Sequence, residues 1–203
     1  MCTYLIPNNT ILKYVSDKIL HNIIPTYLDS IFITGGSIQR AIHRQEGAGD
    51  IDIFICHNDM AYTKIVNQIA KIFNSIAVLN EKSVKYHRPY YEINIDVKLK
   101  YKNIRKKLQI FQGVVSVNLF DIECCKAILP VKKMHIEADS RIISEIVGLQ
   151  TKVNWKYATD KTKKRILKYM MQGYQFPKED LSKLKHDIKH KISWNKHDHQ
   201  TQK

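Results

Sequence analysis

Apolar residues recur with a helical period at Ile11, Leu12, Val15, Ile19, Leu20, Ile23 and Ile24, behind Asn8, Asn9 and Thr10 as capping candidates. The spacing predicts an amphipathic helix over 10–24. Residues 31–34 (IFIT) are β-branched and aromatic and run into Gly35 and Gly36, the pattern of a buried strand entering a tight turn. SIQRAIHR then reads as a short helix, and the glycine-containing EGAG loop leads to DIDIFI at 50–55. Alternation there puts Asp50 and Asp52 on one face and the isoleucines on the other.

A second helical period runs through Ala61, Ile65, Val66, Ile69, Ala70 and Phe73, and IAVL at 76–79 predicts a strand after it. YEINIDVKL at 91–99 alternates Tyr91, Ile93, Ile95, Val97 and Leu99 against Glu92, Asn94, Asp96 and Lys98, so a further strand is expected. LQIF at 108–111 is read as its hairpin partner across a basic connection. Residues 118–129 fit a strand or a helix equally, and Pro130 ends them. Beyond residue 139 the pattern turns helical: IISEIVGL, then KRILKYMMQG closed by Gly173, then a helix opened by Pro177 with Leu181, Leu184, Ile188 and Ile192 on one side. The expected fold is α+β, a mixed β-sheet flanked by helices. Its organisation is a core at 1–130 followed by a mainly helical, basic region at 131–203.

Composition narrows the partners. A net charge of +14 over 203 residues exceeds what solubility requires and points to a polyanion. Residues 151–203 carry 14 Lys and Arg against 5 Asp and Glu, a net +9, and Lys98, Lys100, Lys102, Arg105, Lys106 and Lys107 form a second cluster. No apolar run approaches the roughly eighteen residues that span a bilayer, and no secretory signal pattern opens the chain. No membrane contact and a cytoplasmic location, that of a host if the protein is viral, are the expectations. Cys2, Cys56, Cys124 and Cys125 lack a metal-binding spacing and read as reduced, packed thiols. His186 and His190 have no third ligand spaced to complete a zinc site. Tyr86, His87, Arg88, Tyr90 and Tyr91 combine aromatic and basic groups in a way that suits base stacking as well as hairpin packing.

Three features carry candidate chemistry. Gly35 and Gly36 allow close approach of the backbone to a phosphate, and Ser37 at the following helix start adds a hydroxyl and an amide. Asp50 and Asp52 point the same way from one strand, as two hard divalent cations about 4 Å apart require; magnesium, or manganese in its stead, is the implied ion. Asp96 is the expected third carboxylate, ligating the ion beside the attacking hydroxyl, with Asp121 in LFDIE as its substitute. Arg40, one turn into the helix, is placed as a phosphate clamp. Lys163, Lys164 and Arg165 at a helix start are expected to contact nucleic acid.

TGGSIQRAIHRQEGAGDIDIFI resembles the signature of the DNA polymerase β-like nucleotidyltransferase superfamily: Gly-Gly or Gly-Ser, about ten residues, then Asp-hydrophobic-Asp, with a third acidic residue on a later strand. The resemblance is good over 31–99 and loose elsewhere, although RILKYMMQGYQF is similar to the helical segment that follows the core in small viral and bacterial members. It implies a two-metal transfer of a nucleoside monophosphate from a nucleoside triphosphate. The charge makes RNA the expected acceptor. Transfer to a protein or a small molecule, including synthesis of a nucleotide signal, and an inactive nucleic-acid-binding relative are the alternatives.

Overall fold

The structure, a computed structural model, describes residues 1–45, 49–81, 89–100, 102–114 and 116–184. Most of the EGAG loop, the Tyr86–Arg88 group, Ile188, Ile192, His186, His190 and the C-terminal tail lie outside the described residues.

In chain order the elements are β1 (Cys2–Leu5), α1 (Ile11–Asn22), α2 (Pro25–Leu28), β2 (Ile31–Thr34), α3 (Gly36–Ile42), β3 (Ile51–Ile55), α4 (Asp59–Ile72), β4 (Ala77–Asn80), β5 (Tyr90–Leu99) and β6 (Lys102–Gln112). They continue with β7 (Ile128–Pro130), β8 (His135–Ala138), α5 (Ser140–Val147) and α6 (Thr162–Met171). A further helical stretch covers 178–184. Among the described residues the strands form one eight-stranded sheet in the order β1-β8-β7-β2-β3-β6-β5-β4. Its neighbours are antiparallel except β3 and β6, whose parallel pairing requires the crossover that α4, β4 and β5 provide. The α+β fold with a mixed sheet flanked by helices is the one expected.

Local signals account for the helices. The Thr10 hydroxyl accepts from the Lys13 amide at 3.2 Å and Asn58 accepts from Ala61 at 3.0 Å, so α1 and α4 both start on side-chain caps worth about 1 kcal/mol each. Their apolar stripes meet Ile53, Ile93, Ile95, Leu108 and Ile110 on one sheet face, all at or near zero exposure. Each such burial contributes about 1.5–3 kcal/mol. On the opposite face Phe54, Phe111 and Tyr90 stack in a row at 5.2 and 5.3 Å.

Three expectations change. The basic segment is not a hairpin connection: Lys102–Lys107 belong to β6, which pairs with β5 from Lys102 to Phe111; Arg105 stands on an open face, and the buried Lys106 places its ammonium on the Gly49 carbonyl. The boundary expected at Pro130 falls inside the sheet, since β8 pairs with β1 and touches β7. Residues 118–129 become two 3-10 turns and the short β7, their apolar side chains serving packing rather than one regular element.

Candidate active site

Strand β2 ends at Thr34, whose hydroxyl donates to the Ala127 carbonyl at 2.8 Å. Gly35 follows at φ 79°, a left-handed conformation that L side chains avoid, and turns the chain into α3. Gly36 faces the cleft described below, and a Cβ on it would stand 3.0 Å from Arg40 Nη1 and from Tyr169 Oη. A side chain there would make Arg40 and Tyr169 give way by a few tenths of an ångström. Ser37, expected to offer its hydroxyl to a phosphate, is buried and donates it to the Thr34 carbonyl at 3.2 Å instead, which closes the turn.

Asp50 stands immediately before β3 and Asp52 within it, paired across the sheet with Thr34 on one side and Gln109 on the other. Two cations brace this stretch through its backbone. Arg40 Nη2 donates to the Asp50 carbonyl at 2.9 Å, and Lys106 Nζ donates to the Gly49 carbonyl at 3.3 Å. Arg40 is buried, so the residue expected as a phosphate clamp also fixes the strand that bears the acids. Partial loss of water around Asp50, then the neighbouring Asp52 charge, raise the Asp50 pKa above the usual carboxylate value; Lys107 and Lys168 pull it the other way.

The sequence-expected third carboxylate is not brought to this pair. Asp96 pairs in register with Arg105, four β6 residues from Gln109 and one strand further out. At about 3.3 Å per residue and 4.8 Å per strand, its backbone is roughly 16 Å from that of Asp52. Its side chain is 73% exposed and faces Arg105 at 3.4 Å. Alternation gave the correct face, but position along the ribbon depends on the parallel β3–β6 register, which alternation does not encode. Asp121 does line the same cleft, yet its buried carboxylate accepts from Thr162 Oγ1 at 2.7 Å and Arg165 Nη1 at 2.6 Å.

The acids open on a cleft of about 720 Å³, a size suited to a nucleotide. Gly36 and Arg40 of α3 line it together with Asp50 and with Asp52 and Gln109 of the sheet. Lys161, Arg165, Lys168 and Tyr169 of the α6 region line it too, as do Phe120 and Tyr157. Lys163 and Lys164 are not among its lining residues; Lys161, Arg165 and Lys168, at i, i+4 and i+7, share the helix face that is. The expected basic helix is thus present, and its cleft-facing cations are a different set apart from Arg165.

The fold is shared with a CCA-adding enzyme. That structure, determined with CTP, superposes with a TM-score of 0.52 at 11% identity over 87% of this chain and 46% of its own. A tRNA-processing enzyme in an apo form gives 0.54 at 11% over 93% and 49%. The chain therefore spans about half the length of each, and at this identity the likeness is one of fold. No family model and no curated protein matches the sequence.

Several cleft residues had no sequence signal. Gln109 lies directly across from Asp52; Glu92, outside the cleft lining, is next in the same row and is held by Lys107 at 3.0 Å. Tyr169 is buried, its hydroxyl 3.1 Å from Cys125 Sγ, and burial pushes its pKa well above the ordinary value. Knowledge of the β3–β6 register would have identified Gln109; Tyr169 and Lys168 would have followed only from docking α6 on the sheet. Among the described residues no group of three or more His, Cys, Asp or Glu is arranged to hold a metal ion. Asp50 and Asp52 alone still fit a hard cation, because magnesium is commonly held by one or two carboxylates with the remaining oxygens supplied by water and substrate phosphates. No helix among the described residues is long and apolar enough to cross a membrane.

Proposed function

We propose that this chain is a magnesium-dependent nucleotidyltransferase that moves a nucleoside monophosphate from a nucleoside triphosphate to an acceptor hydroxyl on RNA, releasing pyrophosphate. The observation that carries the reading is the Asp50–Asp52 pair opening, beside a two-glycine turn, on a cleft also lined by Lys161, Arg165 and Lys168. Acid and base line one space large enough for a triphosphate. Bound magnesium would lower the pKa of the attacking hydroxyl and offset charge on the leaving pyrophosphate. Arg40 and Lys106 hold the acid-bearing strand in place through carbonyl contacts, and the α6 cations face the phosphates. The names of the structural neighbours, a CCA-adding enzyme bound to CTP and a tRNA-processing enzyme, agree with nucleotide transfer to RNA.

The test is incubation with each labelled nucleoside triphosphate, magnesium and total RNA, with gel analysis of the products. Label in RNA, reduced more than about tenfold by Asp50→Ala or Asp52→Ala without loss of fold stability, is the expected result; tenfold corresponds to about 1.4 kcal/mol. Either variant keeping a greater share of turnover refutes the metal-site reading. The position of Asp96 favours a second reading, a nucleotide- and RNA-binding relative without catalysis. Magnesium-dependent triphosphate binding by calorimetry, with no label transferred to RNA, protein or small molecule, would establish it in place of the first.

A further inference from the structure

The β5–β6 ribbon leaves the candidate site carrying cations in single file. Alternation and register put Glu92 and Gln109, Asn94 and Lys107, Asp96 and Arg105, then Lys98 and Asn103 in successive rows on the same face as Asp52. Each row is two residues, about 6.7 Å, beyond the last. Lys107, Arg105 and Lys98 therefore lie one, two and three steps from the Asp52 row. The face is open: Asn94, Asp96, Lys98, Asn103 and Arg105 are all exposed. Arg105, at 79% exposure and 3.4 Å from Asp96, keeps most of its guanidinium accessible. Both acids of the ribbon face are already matched, Glu92 by Lys107 and Asp96 by Arg105, so Lys98 adds an unbalanced charge. On α6, Lys161, Arg165 and Lys168 line the triphosphate cleft, and exposed Lys164 shares its face with exposed Leu167 and Met171, so the ribbon is the cationic surface that leads away from the site.

We infer that the open face of the β5–β6 ribbon is the track along which a single-stranded RNA acceptor lies, its backbone phosphates meeting Lys98 and Arg105 and its terminal hydroxyl reaching the Asp50–Asp52 end. A line of cations one residue wide, with Lys98 one row or about 6.7 Å beyond Arg105 and Arg105 two rows or about 13 Å from the Gln109 row, complements one phosphodiester chain. This rests on the proposed transfer to RNA and names where the acceptor binds.

The experiment is fluorescence anisotropy of a labelled single-stranded RNA with the full chain, titrated across about 50–200 mM salt, for the parent, for Lys98→Ala with Arg105→Ala, and for Lys163→Ala with Lys164→Ala. Loss of two phosphate contacts on a single strand reduces the slope of log affinity against log salt by about 1.4, and the ribbon variant is expected to show that reduction. The α6 variant is expected to stay near the parent. Magnesium-nucleotide binding by calorimetry should be the same in all three, which checks that the ribbon variant is folded. Parental binding with an unchanged slope in the ribbon variant, or a loss confined to the α6 variant, overturns the inference alone. A parent that shows no salt-dependent RNA binding overturns the RNA-acceptor reading and this inference with it.

Discussion

Replacing Asp121 separates a structural acid from a metal ligand. Its carboxylate joins Arg165 at 2.6 Å and Thr162 at 2.7 Å, and its backbone carbonyl accepts from the Asn154 amide at 2.8 Å. The residue thus ties the segment after β6 to the start of α6, both of which line the cleft. Asp121 is 5% exposed and Arg165 27%. Removing one partner of a buried pair costs about 3–5 kcal/mol because a charge is left unmatched; water reaching the open side of Arg165 lowers this to roughly 2–4 kcal/mol. Asp121→Asn retains an acceptor for Thr162 and belongs at the low end, Asp121→Ala at the high end. Urea unfolding should show the midpoint falling in that order, and a double-mutant cycle with Arg165→Ala should return a coupling above 1 kcal/mol, the scale of charged pairs in contact. The magnesium requirement should change little, and any loss of turnover should come as a raised KM for the triphosphate as Arg165 loses its anchor. Parental unfolding combined with lost turnover and a raised magnesium requirement would refute the assignment and make Asp121 the third ligand.

Asp96→Asn should alter stability by less than about 1 kcal/mol and leave turnover intact, because the pair it breaks is exposed; a tenfold loss in a kinetic assay would contradict its placement. Gly49→Ala should cost about 1–3 kcal/mol in unfolding experiments, since φ is 130° there and the new Cβ would stand 2.8 Å from Arg40 Nη1; turnover should drop as Arg40 is displaced, and an unstrained, fully active variant would refute this. Glu137 has its pKa lowered first by the Lys133 hydrogen bond at 2.8 Å, with His135 adding to it. Its contribution to stability is therefore complete above the ordinary value of 4.5 and is lost as pH falls through the lower folded value, so Glu137→Gln should flatten the acid limb of stability against pH, measured by urea unfolding from about pH 6 down to about pH 3.

Periodicity was enough for the elements that bury one face. Ile31–Thr34, Ile51–Ile55 and Asp59–Ile72 appear close to where alternation and helical spacing put them, because each must hide a continuous apolar set. β1 and β8 carried weaker signals, four residues each at the sheet's edge region, and their pairing joins residues 2–5 to 135–138. Contacts of that sequence separation leave no local trace. The same limit explains the site: Gly35, Gly36, Asp50 and Asp52 are near one another in sequence and readable there, whereas Gln109, Lys168 and Tyr169 reach the cleft only through strand register and the docking of α6.

The direction of the cations distinguishes the candidate site from the structural acids around it. Glu123 receives Lys126 and Arg141 on its carboxylate, Glu137 receives Lys133, and Asp121 receives Arg165. Beside Asp50 the cations take another course: Arg40 reaches the Asp50 carbonyl and Lys106 the Gly49 carbonyl, and among the described residues the Asp50 carboxylate makes no ion pair. The energetic result is opposite in sign, Glu137 held below its ordinary pKa and Asp50 raised above it by desolvation and by Asp52. An acid retained only for stability would gain from a direct partner, as Asp121 does. Asp50, set beside the Asp52 charge on a strand fixed through its backbone, carries a cost to the apo fold of the kind expected where a cation arrives with substrate.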